Sequence, residues 1–131
     1  MMLGMEPPMI GIDLVDPRRL EDRLARTPAL ADELFHHGER AYADSQPQPV
    51  ECLAARFAAK EAVIKALAID GFDPLDVEVL EGGERCGVRL HGVVAERAAE
   101  LGVIVTISLT HVGTMAAAVA LARPKPSIAT T

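Results

Sequence analysis

Aromatic side chains are nearly absent from this sequence, which has three Phe, one Tyr and no Trp in 131 residues. A core must therefore be filled with Ala, Val, Leu and Ile, and with half of all residues hydrophobic the chain can bury one domain of ordinary size. Positive charge is also scarce: 13 Lys and Arg stand against 19 Asp and Glu, a net charge of −6. That balance argues against nucleic-acid binding, which draws on a basic surplus, and obliges any acidic partner to find a local basic patch. The two cysteines, Cys52 and Cys86, make neither a disulfide framework nor a metal cluster, so both are read as reduced and the protein as cytoplasmic. Met1 to Met9 lacks the basic and apolar parts of a signal peptide, and no apolar run is long enough to span a membrane.

What the sequence does contain is alanine, concentrated in one place. Seven of the fifteen residues from Ala54 to Ala68 are alanine, and Leu, Lys, Glu and Arg supply most of the rest. Pro47 and Pro49 suit a helix entry and Gly71 suits a C′ position, so a long helix is expected over about 49–69. Leu53, Phe57, Ile64 and Ala68 form one apolar stripe, and Ala55, Ala58, Ala59, Ala62 and Ala66 a second, small-residue face. A helix apolar on two sides packs on both, so Arg56, Lys60, Glu61 and Lys65 cannot all be freely solvated. Glu61 and Lys65 have the i,i+4 spacing of a simple surface pair.

Around this helix the patterns are shorter. Residues 1–8 read as a flexible leader. Met9 to Val15 reads as a buried strand holding one carboxylate, Asp13, which needs a cation, backbone donors or a metal. Asp16-Pro17 caps a polar helix on which Arg19, Arg23 and Arg26 share a face, either a solvated surface offset by Glu21 and Asp22 or a docking patch. Short helices are expected from Thr27 to Phe35 and from Gly38 to Ala43, with His36 and His37 in a loop between them. Pro74 to Leu80 alternates as a strand, Glu81 to Glu84 turns, and Val88 to His91 pairs back. Gly92 to Leu101 reads as a helix closed by Gly102, and Val103 to Thr110 and Met115 to Leu121 as a hairpin. The domain is placed at 9–123, with a disordered tail from 124 to 131.

Three residues carry the chemistry: Asp13 on the first strand, Glu61 on the central helix and His111 at a strand-to-turn junction. Two carboxylates brought together raise a pKa or recruit a hard cation such as Mg²⁺, whose coordination substrate phosphates and water would complete. Lys65, Lys60 and Arg56 would add phosphate-binding charge. Periodicity and composition alone carry the claim only as far as an α+β domain, with a phosphate and metal site as one reading of these residues.

The segments Gly11-Ile-Asp13-Leu-Val15, Leu53 to Ala66 with its Arg-Phe-Ala-Ala-Lys-Glu-Ala core, and Ile107-Ser-Leu-Thr-His111 followed by Ala116-Ala-Ala-Val119 occur in that order. Together they resemble the 4′-phosphopantetheinyl transferases of the holo-[acyl-carrier-protein] synthase type over about residues 9–122. The resemblance implies that family's fold, a small antiparallel sheet packed around a long central helix. It also implies transfer of the phosphopantetheine arm of coenzyme A to a serine of an apo acyl carrier protein, with release of 3′,5′-ADP. Carried over, Asp13 and Glu61 hold Mg²⁺ and act with Lys65 in catalysis, Lys65 sits against the phosphates, and Arg56, His111 and Gly83 contact the coenzyme. A metal-bound water or Glu61 takes the serine proton. The carrier docks on Arg19, Arg23 and Arg26, and a homotrimer is expected with sites between subunits. The sequence departs from the family in two places: Pro7 and Pro8 shorten the first strand, and the Gly-Lys/Arg-Pro turn reads Gly83-Glu84-Arg85-Cys86. A non-catalytic coenzyme-binding or carrier-binding subunit of the same fold is the alternative.

Overall fold

The computed structural model describes residues 9–80 and 86–126. The expected leader at 1–8, the turn containing Gly83 and the last five residues lie outside the described residues.

The alanine-rich segment forms a helix, α4 (Pro49–Ala66), with proline in its first turn as expected. It ends earlier than Gly71. Leu67 is the C-cap and Ala68 takes a left-handed conformation (φ 54°). The Ala68 N–H donates to the Lys65 carbonyl and the Ile69 N–H to the Ile64 carbonyl, the two bonds of a Schellman closure. Alanine therefore occupies the position expected for glycine, at a conformational cost of about 1 kcal/mol.

Three antiparallel strands lie under α4 in the order β1 (Ile10–Val15), β5 (Met115–Pro124), β4 (Val103–Val112). β4 and β5 form the expected hairpin, and β5 runs to Pro124, where the tail was expected to begin. Ala118, Ala120 and Ala122 of β5 share a core with Ala58, Ala59, Ala62 and Ala66 of α4. Small residues on both surfaces let helix and sheet approach closely, and Gly11 marks the tightest point: a Cβ built there would lie 2.0 Å from the Ala62 carbonyl oxygen.

The other side of α4 is covered within the same chain. α1 (Pro17–Arg26), α2 (Leu30–Leu34) and the residue after it bring Leu20, Leu34 and Phe35 against Ala54 and Ala55, with Leu53 and Phe57 packed alongside. Asp16 caps α1 as expected, its Oδ1 accepting from the Arg18 N–H at 2.9 Å. Both faces of α4 are thus packed within the chain, although Leu53 and Phe57 stay half-buried and Ala68 exposed, so the two apolar faces do not by themselves call for a neighbouring subunit.

The uncovered apolar surface is instead the far face of the sheet. β1 is not a buried strand: Gly11 faces α4, but Ile10, Ile12 and Leu14 are 56%, 60% and 61% exposed, and Val119 and Leu121 of β5 are exposed with them. Apolar residues on both faces of the strand hid this asymmetry from the sequence reading.

α3 (His37–Asp44), a second antiparallel pair of strands, β2 (Val77–Leu80) and β3 (Gly87–Leu90), and α5 (Gly92–Leu101) complete the domain. Pro74–Asp76 forms a 3₁₀ turn and not the start of the strand, because the Asp73 side chain accepts from the Leu75 N–H and caps it. Gly102 closes α5 at φ 65°, as expected.

The buried polar group that fastens α3 and β2 to α4 is Lys60, with no exposed surface. Its Nζ donates to Glu39 Oε1 at 3.0 Å, to the Pro74 carbonyl at 3.0 Å and to the Val77 carbonyl. Glu39, equally buried, accepts in turn from the N–H groups of His36 and Val79. Every oxygen and the ammonium are satisfied, which is the condition for an ion pair to persist in a core.

Candidate active site

Asp13 reaches its position by strand alternation: with Gly11 and Val15 it lies on the α4 side of β1, opposite Ala118. Glu61 projects from the C-terminal half of α4 into the same pocket, which Val15, Asp16, Arg19, Leu20, Arg23 and Phe57 also line. Burial, and after it the negative charge of Asp13, push the Glu61 carboxyl above its ordinary value, and only Lys65 opposes the shift. The expectation that paired carboxylates raise a pKa therefore holds at Glu61, with desolvation the larger cause.

Lys65 does not make the i,i+4 pair. Its Nζ donates to Asp13 Oδ1 and to the Ile12 carbonyl, both at 3.0 Å, across to β1. The Asp13 side chain is largely covered while the lysine is half exposed, so the ammonium can be exchanged for another cation without opening the core. Asp13 and Glu61 offer the hard oxygen donors that Mg²⁺ takes, in a site open to further ligands.

Arg19 and Arg23 stand on the rim of this pocket, and Arg23 and Arg26 line a neighbouring groove. All three arginines are exposed, and among the described residues none is held in an ion pair by Glu21 or Asp22. The row of positive charge is therefore available to a partner.

His111 and Arg56 come together, but in a second pocket with Tyr42, Gln46, Cys52, Cys86 and Leu109. His111 belongs to β4, one residue from its end, and its Nδ1 lies 2.8 Å from Glu51 Oε1. Arg56 is only 3% exposed and stacks over Tyr42, with its Cζ 4.3 Å from the ring centroid. Among the described residues its Nε and Nη2 have no hydrogen-bond partner. A buried guanidinium with two idle donors is a costly arrangement that an anion such as a phosphate relieves. Burial raises the Cys52 thiol pKa, against the opposing charge of Arg56, so this cysteine stays protonated.

Sequence reading missed Tyr42 and Glu51, which position Arg56 and His111. The signal for Tyr42 was its solitude as the one tyrosine in a chain poor in aromatics. Glu51 carried none, because an acid in the first turn of a helix needs no further explanation. Gly83 lies outside the described residues, so its place at the site is not given by the fold.

An acidic pocket suited to a divalent cation and a buried guanidinium suited to a phosphate equip a small α+β domain to handle phosphorylated ligands. A sequence profile of the 4′-phosphopantetheinyl transferase superfamily matches residues 9–119, and the chain belongs to that family. It is 47% identical over 116 residues to the holo-[acyl-carrier-protein] synthase of Streptomyces coelicolor, covering 86% of this chain and 94% of that one. Among solved structures it resembles an ACPS–CoA complex from Chronobacterium ammoniagenes, at TM-score 0.78 and 30% identity over 90% of this chain and 98% of that chain. The acyl carrier protein synthase of Mycobacterium tuberculosis is similar at TM-score 0.69 and 39% identity, covering 88% and 96%. The expected fold stands, and among the described residues no helix is long and apolar enough to cross a membrane.

Proposed function

We propose that this chain is a holo-[acyl-carrier-protein] synthase that transfers the 4′-phosphopantetheine arm of coenzyme A to a serine hydroxyl of an apo acyl carrier protein. The observation that carries the reading is the pocket joining Asp13 to Glu61, with Lys65 bonded to Asp13 and with Arg19 and Arg23 on its rim. A purified apo carrier protein incubated with this protein, coenzyme A and Mg²⁺ should gain about 340 Da, the mass of the arm, by mass spectrometry. An unchanged carrier mass in the presence of folded protein overturns the proposal. A non-catalytic subunit would have no use for two mutually repelling carboxylates beside a lysine.

Asp13 and Glu61 are assigned to Mg²⁺, which when bound supplies positive charge to the pyrophosphate of coenzyme A and to the departing phosphate. The chain's own groups do the rest. Lys65, released from Asp13, turns its ammonium to the phosphates. The serine proton goes to Glu61, directly or through a water, or to a water whose pKa the bound cation would lower. Arg56 donates its two idle N–H groups to the phosphate at the nucleotide end, and His111 holds that end beside it. Gly83 is retained as a coenzyme contact on the strength of the resemblance.

The two half-sites occupy separate pockets of about 240 and 130 Å³, each below the roughly 300 Å³ that marks the lower end of small-molecule sites. A homotrimer joins them if the Arg56 and His111 half of one copy meets the Asp13 and Glu61 half of the next. The exposed Ile10, Ile12, Leu14, Val119 and Leu121 supply the apolar surface for that contact. Light scattering should return about three times the 13.9 kDa chain mass, and an active monomer would refute the assembly.

The acidic carrier is assigned to Arg19, Arg23 and Arg26, because a protein of net charge −6 needs a basic patch to receive one. Arg19→Glu with Arg23→Glu should raise KM for the carrier about tenfold and weaken its salt dependence, with little change in coenzyme binding. The cytoplasm is where this reaction finds both substrates.

A further inference from the structure

His36, Glu78 and His91 form a cluster that the proposed reaction does not use and that lines neither of the two pockets. One potential ligand atom from each lies within 4.8 Å of the other two, and all three side chains are half-buried. The residues come from three elements: His36 is the N-cap of α3, Glu78 lies in β2, and His91 is the N-cap of α5 directly after β3. Their convergence follows from the β2–β3 pairing. Val77 and Val79 turn into the core, leaving Glu78 on the outer face opposite Arg89, and His91, two residues beyond Arg89, falls on that same face.

We propose that this cluster is a divalent-metal site of the zinc type, in which two imidazole nitrogens and one carboxylate oxygen leave a fourth position to water. Zinc bonds of about 2.0–2.2 Å set tetrahedral ligands roughly 3.3–3.5 Å apart, so atoms that lie within 4.8 Å of one another need to close by about 1.5 Å at most. Mixed imidazole and carboxylate donors suit Zn²⁺, not Mg²⁺, which separates this site from the pair at Asp13 and Glu61.

The surroundings are already ordered. The His36 ring is fixed from both sides, by Nε2 on the Leu75 carbonyl at 2.7 Å and by a capping box with Glu39. The first of these is the outer hydrogen bond that orients a ligating imidazole, and a metal at the second nitrogen takes the place of the capping N–H. His91 holds Glu78 Oε1 at 2.9 Å, which keeps the carboxylate ionised below its ordinary pKa, and the His91 backbone N–H is tied to Asp76 O at 2.8 Å. Arg89, 3.6 Å from Glu78 Oε1, competes for the carboxylate, but its side chain is mostly exposed and free to swing away. A bound ion clamps α3, β2 and α5 together next to the buried Glu39 and Lys60 pair.

The test uses the full chain carrying Asp13→Ala and Glu61→Ala, which removes the competing cation site. Titration with Co²⁺ alone, as a visible stand-in for zinc, should give the intense absorption of a four-coordinate ion at one equivalent, and Zn²⁺ should abolish that absorption and raise the melting temperature. Glu78→Gln and His91→Gln should each weaken binding at least tenfold while the metal-free protein melts cooperatively. If His91→Gln fails to fold, Glu78→Gln, which keeps the side-chain shape, decides. Absence of the absorption at about 0.1 mM Co²⁺, or its persistence in Glu78→Gln, overturns the proposal.

Discussion

Helix α4 carries two lysines five residues apart, each bonded to an acid from another element, and the two pairs behave in opposite ways. Lys60 is wholly enclosed with Glu39, both groups are saturated with hydrogen bonds, and desolvation, partly offset by Glu39, holds the lysine pKa below its ordinary value. Lys65 meets Asp13 at the edge of an open pocket with half its surface in solvent. The enclosed pair has no exchangeable partner and can only hold α3 and β2 to the helix. The open pair can trade its ammonium for a metal ion or a phosphate at little cost, because the surrounding water screens the separated charges. On the proposed function the same chemistry is structural in one place and reactive in the other, and solvent access makes the difference.

Removing the open acids should have the largest effect, and it should fall on activity. Asp13→Ala and Glu61→Ala are each expected to lower arm transfer by roughly 10³-fold, the scale of lost transition-state charge stabilisation, with unfolding midpoints close to wild type. The contrast fails if either well-folded variant transfers the arm at near wild-type rate.

Breaking the enclosed pair should instead fall on stability. Lys60→Met leaves the Glu39 carboxylate buried without its cation and should cost about 3–5 kcal/mol in urea unfolding, with Glu39→Leu in the same chain recovering part of the loss. A cost under about 1 kcal/mol would mean that water reaches Glu39 and that the pair is not sealed.

Smaller effects come from pH. Glu61 has a folded-state pKa raised above its unfolded value, so its protonation favours the folded state: that contribution is fully present below the ordinary carboxylate pKa and is lost as pH rises through the raised value. Without divalent cations, Glu61→Gln should therefore be more stable than wild type at neutral pH, with the gap closing as the solution is acidified through that window. Mg²⁺ binding should strengthen over the same rise in pH, since the cation competes with the proton. Calorimetric titration at several pH values checks the sign, and affinity that is flat with pH would show that Glu61 is not a ligand.

The smallest change sharpens the description of the helix that carries both lysines. Ala68→Gly relieves the left-handed alanine at an exposed position and should stabilise the fold by about 1 kcal/mol, read as a higher urea midpoint with unchanged activity. No gain would show that the Schellman closure is already relaxed.

Much of this was legible from residue order. The helix and its two apolar sides followed from the spacing of alanines among larger residues, and the start of α1 from Asp16-Pro17. The hairpin of β4 and β5 followed from period-two runs around Gly113. Local rules settle such features because their causes lie within a few residues. The position of Ala68 in place of Gly71 escaped, since helix closure there depends on which carbonyls remain free at the last turn and not on glycine alone.

By itself, then, the sequence determined most of the helices and strands, that Asp13 needs a counter-charge, and that Glu61 and Lys65 sit one turn apart. It did not determine who pairs with whom. Lys65 took Asp13 and not Glu61 because β1 crosses α4 at Gly11, where the missing side chain lets the strand come within reach. His36, which reads as a loop residue, met Glu78 and His91 through the pairing of strands far along the chain, and Ile10, Ile12 and Leu14 proved to face outward because α4 can cover only one side of a three-stranded sheet. Each of these depends on contacts between distant segments, and periodicity along one segment carries no information about what lies across from it.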